Sequence, residues 1–449
     1  MRGRRKGGQD CWTALDGLRF RARRLAARPH ARPLAVAPGV GNMPPQPAVG
    51  IAPARPLTGG GASRAAEVLA GAGGCGNNWA HGYAQGHERA AADAPAVERV
   101  AEAVRRHCEA CSVTPALVVC HSLGGGTGAG MGSAIVERLR REYPAALLAS
   151  VAVAPDMESG PAAQSLNVAL SMQWLHEYAD AVLLWRNGEL AAAARRAAKR
   201  GGTNANDAGL TMARMNAHVA APLLGLLAPA AGVRVATGGA ALGAMGCLQG
   251  VVAEVCPHPA CRLATAASAP NALRHPAVGK GGGTTAGRPR SASRRSATQA
   301  AAMEPSWVEL GRALETQLPR ADELDHGRPA TCSAALVVLR GCGADGRQDA
   351  AAARAVLASA RGLGGDTSAV CVPAAAPAAL GGGRCVTAAA ARGDAVGLLD
   401  EVALRGRALL DAGAFVHWYE RHGCPADALQ DALEALEEAA ADARWWHCT

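Results

Sequence analysis

The chain has 449 residues, enough for two or three domains that each bury a core of their own. Apolar residues make up 49% of it, but only two are Phe and four are Tyr, and no apolar run reaches the roughly 18 residues that span a membrane. The net charge of +9 sits in two places: residues 1–35 hold ten Lys/Arg against two Asp, and residues 277–297 hold five against none. The +13 in those segments leaves −4 on the rest, a mildly acidic body that excludes a nucleic-acid partner from the expectation.

Residues 1–74 are Arg-rich, then Pro/Gly/Ala-rich, and read as a divergent or incomplete N-terminal segment with no periodic apolar pattern. From 75 onward strands and helices alternate. PALVVCHS (115–122) predicts a strand, and MGSAIVERLRREYP (131–144) a helix with Met131, Ile135 and Leu139 on one face. ALLASVAVAP and AVLLW predict two further strands, separated by the helix LNVALSMQWLHEYAD and followed by a helix from about Gly188. TMARMNAHVAAPLLGLLA (211–228) predicts a long, mostly apolar spine helix. Beyond it come a helix ending at CPHP, the strand CRLATAAS, the low-complexity insert at 277–297, the helix SWVELGRALETQL and the strand SAALVVLRG. The last 60 residues read as helical, with AFVHWYERHG linking two helices. Such alternation with short links predicts an α/β protein with a doubly wound, parallel sheet.

The fourteen cysteines follow no paired framework and read as free thiols. Two fragments have partial zinc spacing, His107-Cys108-x-x-Cys111 and Cys256-Pro-His-Pro-x-Cys261. A structural zinc site needs four ligands in two clustered pairs, so no metal is expected at either.

The chemistry concentrates in VVCHSLGGGTGAGMG (118–132), where two readings compete. In one, Ser122 is a hydrolase nucleophile on a strand–turn–helix elbow, with Cys120 where the G-x-S-x-G turn wants glycine. In the other, Gly124, Gly125, Gly126, Thr127, Gly128 and Gly130 let the backbone cradle phosphate, helped by the unpaired N–H groups of the following helix. Glycines in a first helical turn each cost roughly 0.5–1 kcal/mol relative to alanine, which favours the cradle. No Lys completes a Walker loop, and Ala129 breaks the dinucleotide register, so a Rossmann oxidoreductase ranks lowest.

HSLGGGTGAGMGS followed by a helix ending REYP resembles the tubulin signature loop, with Ala129 where that family usually has Ser. GNNWAHGY (76–83) resembles the family's earlier nucleotide loop, and AFVHWYERHG the link between its C-terminal helices. RHCEACS, LSMQWLHEYADAVL, MNAHVAAPLLGLL and LPRAD leading into SAALVVLRG are most similar to epsilon-tubulin, with delta-tubulin second.

The resemblance implies a tubulin-like doubly wound GTP-binding domain over 75–229 with a central core helix. It implies a mixed α/β intermediate domain over 230–390 and a C-terminal helical hairpin layer over 391–449. It implies GTP as cofactor, with magnesium accompanying it. Gly124–Gly130 would hold the phosphates, Thr127 would give a hydroxyl, and Asn77 and Asn78 would sit near the terminal phosphate. Asn187 and Asn216 would read guanine through their amides, where residue type alone would make them turn and helix-surface positions. Met212 stands where an aromatic usually stacks on the base. The family's first phosphate loop has only a faint echo in GGQDCW, Ala35 and Ala37 replace acidic residues near magnesium, and the water-activating acidic position falls on Gly250. The expected function is a GTP-binding structural protein of the microtubule cytoskeleton, in the cytoplasm at the centriole, basal body and cilium. Its expected partners are other tubulins, microtubule ends and centriolar proteins, with no nucleic acid or membrane. A nucleotide-free scaffold of the same fold and the Ser122 hydrolase are the alternatives.

Overall fold

Three strands run side by side where the sequence alternates most regularly: β4 (Leu117–Ser122), β5 (Leu148–Ala154) and β6 (Ala181–Arg186). All three pair parallel and are buried on both faces, which near-continuous apolar runs allow and half-polar strands would not. The computed structural model describes residues 34–38, 48–53, 67–70, 74–88, 94–111, 115–200, 212–228, 230–237, 248–258, 261–270, 304–318, 332–344, 346–364 and 366–448. The basic head at 1–33 and the insert at 277–297 lie outside them.

The N-terminal segment holds more structure than its composition suggests. β1 (Leu34–Pro38) joins β4 in parallel, and β2 (Ala48–Pro53) and β3 (Glu67–Ala70) extend that edge as antiparallel neighbours. Proline and glycine spacing hid these strands, because pairing with a formed edge supplies what weak local propensity does not.

On the other side, β6 meets β8 (Leu263–Ala269) through Val182↔Leu263 and Leu183↔Ala264. β8 continues into β11 (Cys385–Arg392), β9 (Cys332–Arg340), β10 (Asp366–Val372) and β7 (Arg234–Thr237). The described strands thus form one sheet ordered β3-β2-β1-β4-β5-β6-β8-β11-β9-β10-β7.

One face carries α1 (Trp79–His87), α2 (Ala96–Glu109), α3 (Gly132–Glu142) and α4 (Gln164–Tyr178). Helix α4 is buried on almost every side, because α10 (Asp394–Asp411) and α12 (Ala426–Cys448) close over it and its leucines join theirs in a single core. The short α11 (Val416–Glu420) links those two C-terminal helices. Across the sheet lie α5 (Asn187–Arg200), the spine α6 (Met212–Leu227) and α7 (Leu248–Val255). Helices α8 (Trp307–Glu315) and α9 (Asp349–Ser359) cover the β8–β10 end.

Helix α6 approaches β11 so closely that a Cβ on Gly225 would stand 2.0 Å from the Thr387 hydroxyl oxygen. Its last carbonyls, Gly225 and Ala228, accept from the buried Arg340 guanidinium at 3.0 and 2.6 Å, which satisfies groups every helix end leaves open. No described helix is long and apolar enough to cross a membrane.

Candidate functional site

The ladder of β4 runs one residue past the strand, with Leu123 N–H donating to the Val153 carbonyl at 3.0 Å. The chain then turns through Gly124–Gly126 into a π-helical turn, Thr127–Met131, before α3 begins. The α-helix expected from Met131 therefore begins at Gly132, after five residues of wider coil, a form concentrated at functional sites.

Most of the loop's glycines have a structural explanation that the sequence did not supply. A Cβ on Gly130 would stand 1.9 Å from the Trp79 carbonyl oxygen, and one on Gly126 2.5 Å from that of Cys75. One on Gly124 would meet Pro155 at 2.7 Å, and one on Gly128 the Ser122 carbonyl at 3.0 Å. Gly82 on α1 returns the contact, 2.1 Å from the Gly126 carbonyl oxygen. Gly82, Gly126 and Gly130 are small because α1 and its leading loop press directly on the π-turn, whereas Gly124 is hemmed in by Pro155 and Gly128 by Ser122. Gly125 is different: a Cβ there would meet nothing within 4 Å. Packing alone therefore calls for glycine at four of the loop's five glycine positions and leaves Gly125 as the one whose side faces open space.

The second loop, 75–78, is held by the same contacts. Gly76 and Asn77 take φ of +55° and +54°, a conformation that Asn tolerates better than most residues. The Asn77 side chain is exposed and makes no hydrogen bond among the described residues. Asn78 is buried and fully engaged: its Oδ1 accepts from His81 N–H at 3.1 Å as the cap of α1, and its Nδ2 donates to the Trp418 carbonyl at 2.9 Å. The Thr127 hydroxyl donates to Cys75 Sγ at 3.3 Å.

Asn167 on α4 ties these pieces together, and no motif pointed to it. Its Oδ1 accepts from Trp79 N–H at 2.9 Å and lies 2.8 Å from the Tyr419 hydroxyl. Its Nδ2 donates to the carbonyls of Asn77 at 2.7 Å and Gly124 at 2.9 Å. One fully buried amide thus joins both loops and the C-terminal link. The available signal was an amide between Leu166 and Val168 on a helix apolar all round, since a buried amide needs partners.

His121 anchors the other flank. Its Nδ1 lies 2.9 Å from the Gly128 carbonyl and its Nε2 2.9 Å from Ser150 Oγ, so the neutral ring donates from Nδ1 and accepts at Nε2. Burial holds its pKa down to about 4 from 6.5. The folded state therefore binds fewer protons than the unfolded chain between those values, and stability falls as pH drops from 6.5 towards 4. Urea titrations should show about 2 kcal/mol of this loss by pH 5, and His121→Gln should remove that part of the pH dependence.

The ring's two bonds also answer the hydrolase reading. The Ser122 hydroxyl accepts from Gly124 N–H at 3.4 Å, and no imidazole reaches it among the described residues. Neither zinc-like fragment gathers ligands there either: Cys111 Sγ contacts the His107 carbonyl, and Cys256 Sγ the Arg262 carbonyl. The eleven cysteines whose side chains are described are free thiols.

Asn187 opens α5 at the carboxyl end of β6, half-buried, and Asn216 lies exposed early in α6. Gly188 faces the Asp156 carboxylate, 3.6 Å from its Cγ to a Cβ built there, so the β5 and β6 exits adjoin each other as the β4 and β5 exits do through Gly124 and Pro155. The glycine turn, Asp156 and Asn187 thus line the carboxyl edge of parallel strands, where open α/β sheets bind ligands. Ala35 and Ala37, where the resemblance would have acidic residues, both lie in β1, with Ala35 paired to Val118 near the start of β4. Gly250 is buried in α7, with the half-buried Glu254 one turn along. Two small cavities adjoin the β6 exit, one lined by Arg186, Glu189 and Asp394 and the other by Trp185, Glu189 and His218, and a third lies between α4, α12 and β6, lined by Met172, His176, Arg262 and Leu436.

Residues 60–195 match the Tubulin/FtsZ family, GTPase domain. The chain is 39% identical over 119 residues to the tubulin beta-3 chain of Echinococcus multilocularis, covering 26% of this chain and 25% of that one. It is 40% identical over 119 residues to a tubulin beta chain of Trichophyton rubrum, with coverage of 26% and 25%. For a tubulin beta chain of Porphyra purpurea the figures are 39% over 133 residues, 29% and 28%. The match spans about a quarter of the length of these relatives. Both loops, Asn167 and Asn187 fall inside 60–195, and Asn216 lies beyond it. With its parallel-rich sheet and twelve described helices, the fold is tubulin-like.

Proposed function

We propose that this chain is a GTP-binding structural protein of the microtubule cytoskeleton, with the nucleotide on the carboxyl edge of β4–β6. The observation that carries this reading is Gly125, open to space at the start of a helix inside the segment that matches a GTPase domain. The N–H groups of Gly124–Gly128 and Gly130, with the Thr127 hydroxyl, take the phosphates. Asn77 supplies the free amide beside them, and Asn78 acts by holding the loop. Asn187 and Asn216 read the guanine, and residues 75–229 form the nucleotide-binding unit. Magnesium would accompany the nucleotide, and Ala35 and Ala37 would add no oxygen ligand to it.

Gly250 can neither orient water nor take a proton, which makes turnover weak. The stretches quoted above support a reading in the centriolar branch, most like epsilon-tubulin with delta-tubulin second, although the relatives named above are beta-tubulins. Its partners are then other tubulins, microtubule ends and centriolar proteins, at the centriole or basal body. The exposed edge of the C-terminal link, with Trp418 at 45% exposure, supports contact with another protein.

Titration of the full chain with fluorescent GTP and magnesium, with ATP as competitor, tests the reading. GTP-selective binding that weakens at least tenfold in Asn216→Ala is the expected result. Absence of binding by a chain with the far-ultraviolet spectrum of an α/β protein would reduce it to a nucleotide-free scaffold.

A further inference from the structure

At the opposite end of the sheet, a second cluster has no part in the nucleotide site. β9 ends at Arg340, and Gly341 and Gly343, with φ of +85° and +82°, turn the chain so that Cys342 lies against β10. Gly341 N–H and Cys342 N–H both donate to the Val372 carbonyl, at 3.0 and 3.2 Å. Cys371 precedes Val372, so the thiols share one side of this junction. Their sulfurs and an Asp349 carboxylate oxygen all lie within 4.8 Å of one another. Cys371 is fully buried and Cys342 half-buried, so solvent reaches one thiol and not the other.

Arg234 on β7 holds the cluster in place. It is the cross-strand partner of Cys371, binds Asp349 through Nε at 2.6 Å and Nη2 at 3.1 Å, and donates to the Gly343 carbonyl at 2.9 Å. A metal ion is the weaker occupant. Asp349 is already bound bidentately, and a cation there would sit beside a guanidinium with two thiolates as its remaining ligands.

We propose that Cys342 and Cys371 are a peroxide-reactive dithiol, with Cys342 the attacking and Cys371 the resolving sulfur. The neighbouring Cys371 thiol and the positive charge of Arg234 lower the Cys342 pKa, while the nearness of Cys342 and burial raise that of Cys371, whose thiol reaches the Asp349 carbonyl at 3.9 Å. The Cys342 thiolate attacks a hydroperoxide oxygen, the O–O bond breaks, and the alcohol or water departs with the proton, leaving a sulfenic acid. Cys371 then attacks that sulfur, forming the disulfide and expelling the hydroxyl as water with the Cys371 proton. Two thiols and one hydroperoxide become one disulfide, one alcohol (or water) and one water. The bond closes the turn between β9 and α9 onto β10.

The test is brief hydrogen peroxide treatment of the full chain, alkylation under denaturing conditions and non-reducing tryptic digestion. Trypsin isolates Cys342 in 341–347 and Cys371 in 362–384, each as the sole cysteine of its peptide. These two peptides should appear cross-linked and separate with dithiothreitol. Cys342→Ser should abolish the link while leaving Cys371 alkylable, and Cys371→Ser should leave a Cys342 sulfenate that dimedone traps. If the buried variant fails to fold, the half-buried Cys342→Ser carries the test. Two unlinked peptides with oxidation at other cysteines would overturn the proposal, as would zinc retained by the chain and lost in Cys342→Ser.

Discussion

Gly125→Ala is expected to leave the fold intact and weaken nucleotide binding at least tenfold, while Gly130→Ala, five residues on in the same turn, is expected to disrupt the fold. The difference lies in what each new methyl would meet. At Gly125 nothing lies within 4 Å and the backbone φ is not positive, so alanine fits. Its effect on stability should stay within about 1 kcal/mol, and fewer unfolded conformations could even make it favourable. The methyl would then stand in the space assigned to phosphate. At Gly130 it would stand 1.9 Å from the Trp79 carbonyl oxygen and 2.6 Å from Tyr83 N, both backbone atoms that no rotamer change can move. Either α1 or the π-turn must shift, at a cost expected to exceed about 3 kcal/mol. Urea unfolding and GTP titration of the two variants separate the outcomes. A Gly125→Ala protein that binds GTP like the parent would remove the phosphates from this edge.

The second large effect is expected at Asn167. Truncation to alanine leaves the Trp79 N–H, the Asn77 and Gly124 carbonyls and the Tyr419 hydroxyl to find other partners in a closed interior. At about 1–3 kcal/mol for each buried group left unsatisfied, the loss should reach at least about 4 kcal/mol. Asn167→Asp keeps the shape but turns a donor into an acceptor facing two carbonyls, so it should be no milder. Tyr419→Phe removes one partner and should cost about 1 kcal/mol. The double variant should show a coupling that places both residues in one network. Additive losses in urea unfolding would separate the C-terminal link from the loops.

The element order was legible along the chain. β4, the turn and α3 follow from an apolar run, five closely spaced glycines and an apolar stripe at helical spacing, all of which act over a few residues. Ser306 and Glu309 likewise cap α8 as neighbours do, each side chain bonding the other's backbone. The first three strands were not legible, because β1 depends on the edge of β4, about 80 residues later, more than on its own propensity.

The candidate site divides in the same way. Asn77, Asn78 and the glycine turn could be picked out by residue type, but their roles could not. Whether a glycine faces a ligand or another backbone depends on α1 crossing the π-turn. Asn78 is engaged by Trp418, 340 positions away, and Asn167 by Tyr419, 252 positions away. Local pattern constrains backbone conformation and periodicity, since both act within a turn or a strand. The partners of a buried amide, and the one glycine left open, are set by packing between distant segments, which exists only once the chain has folded.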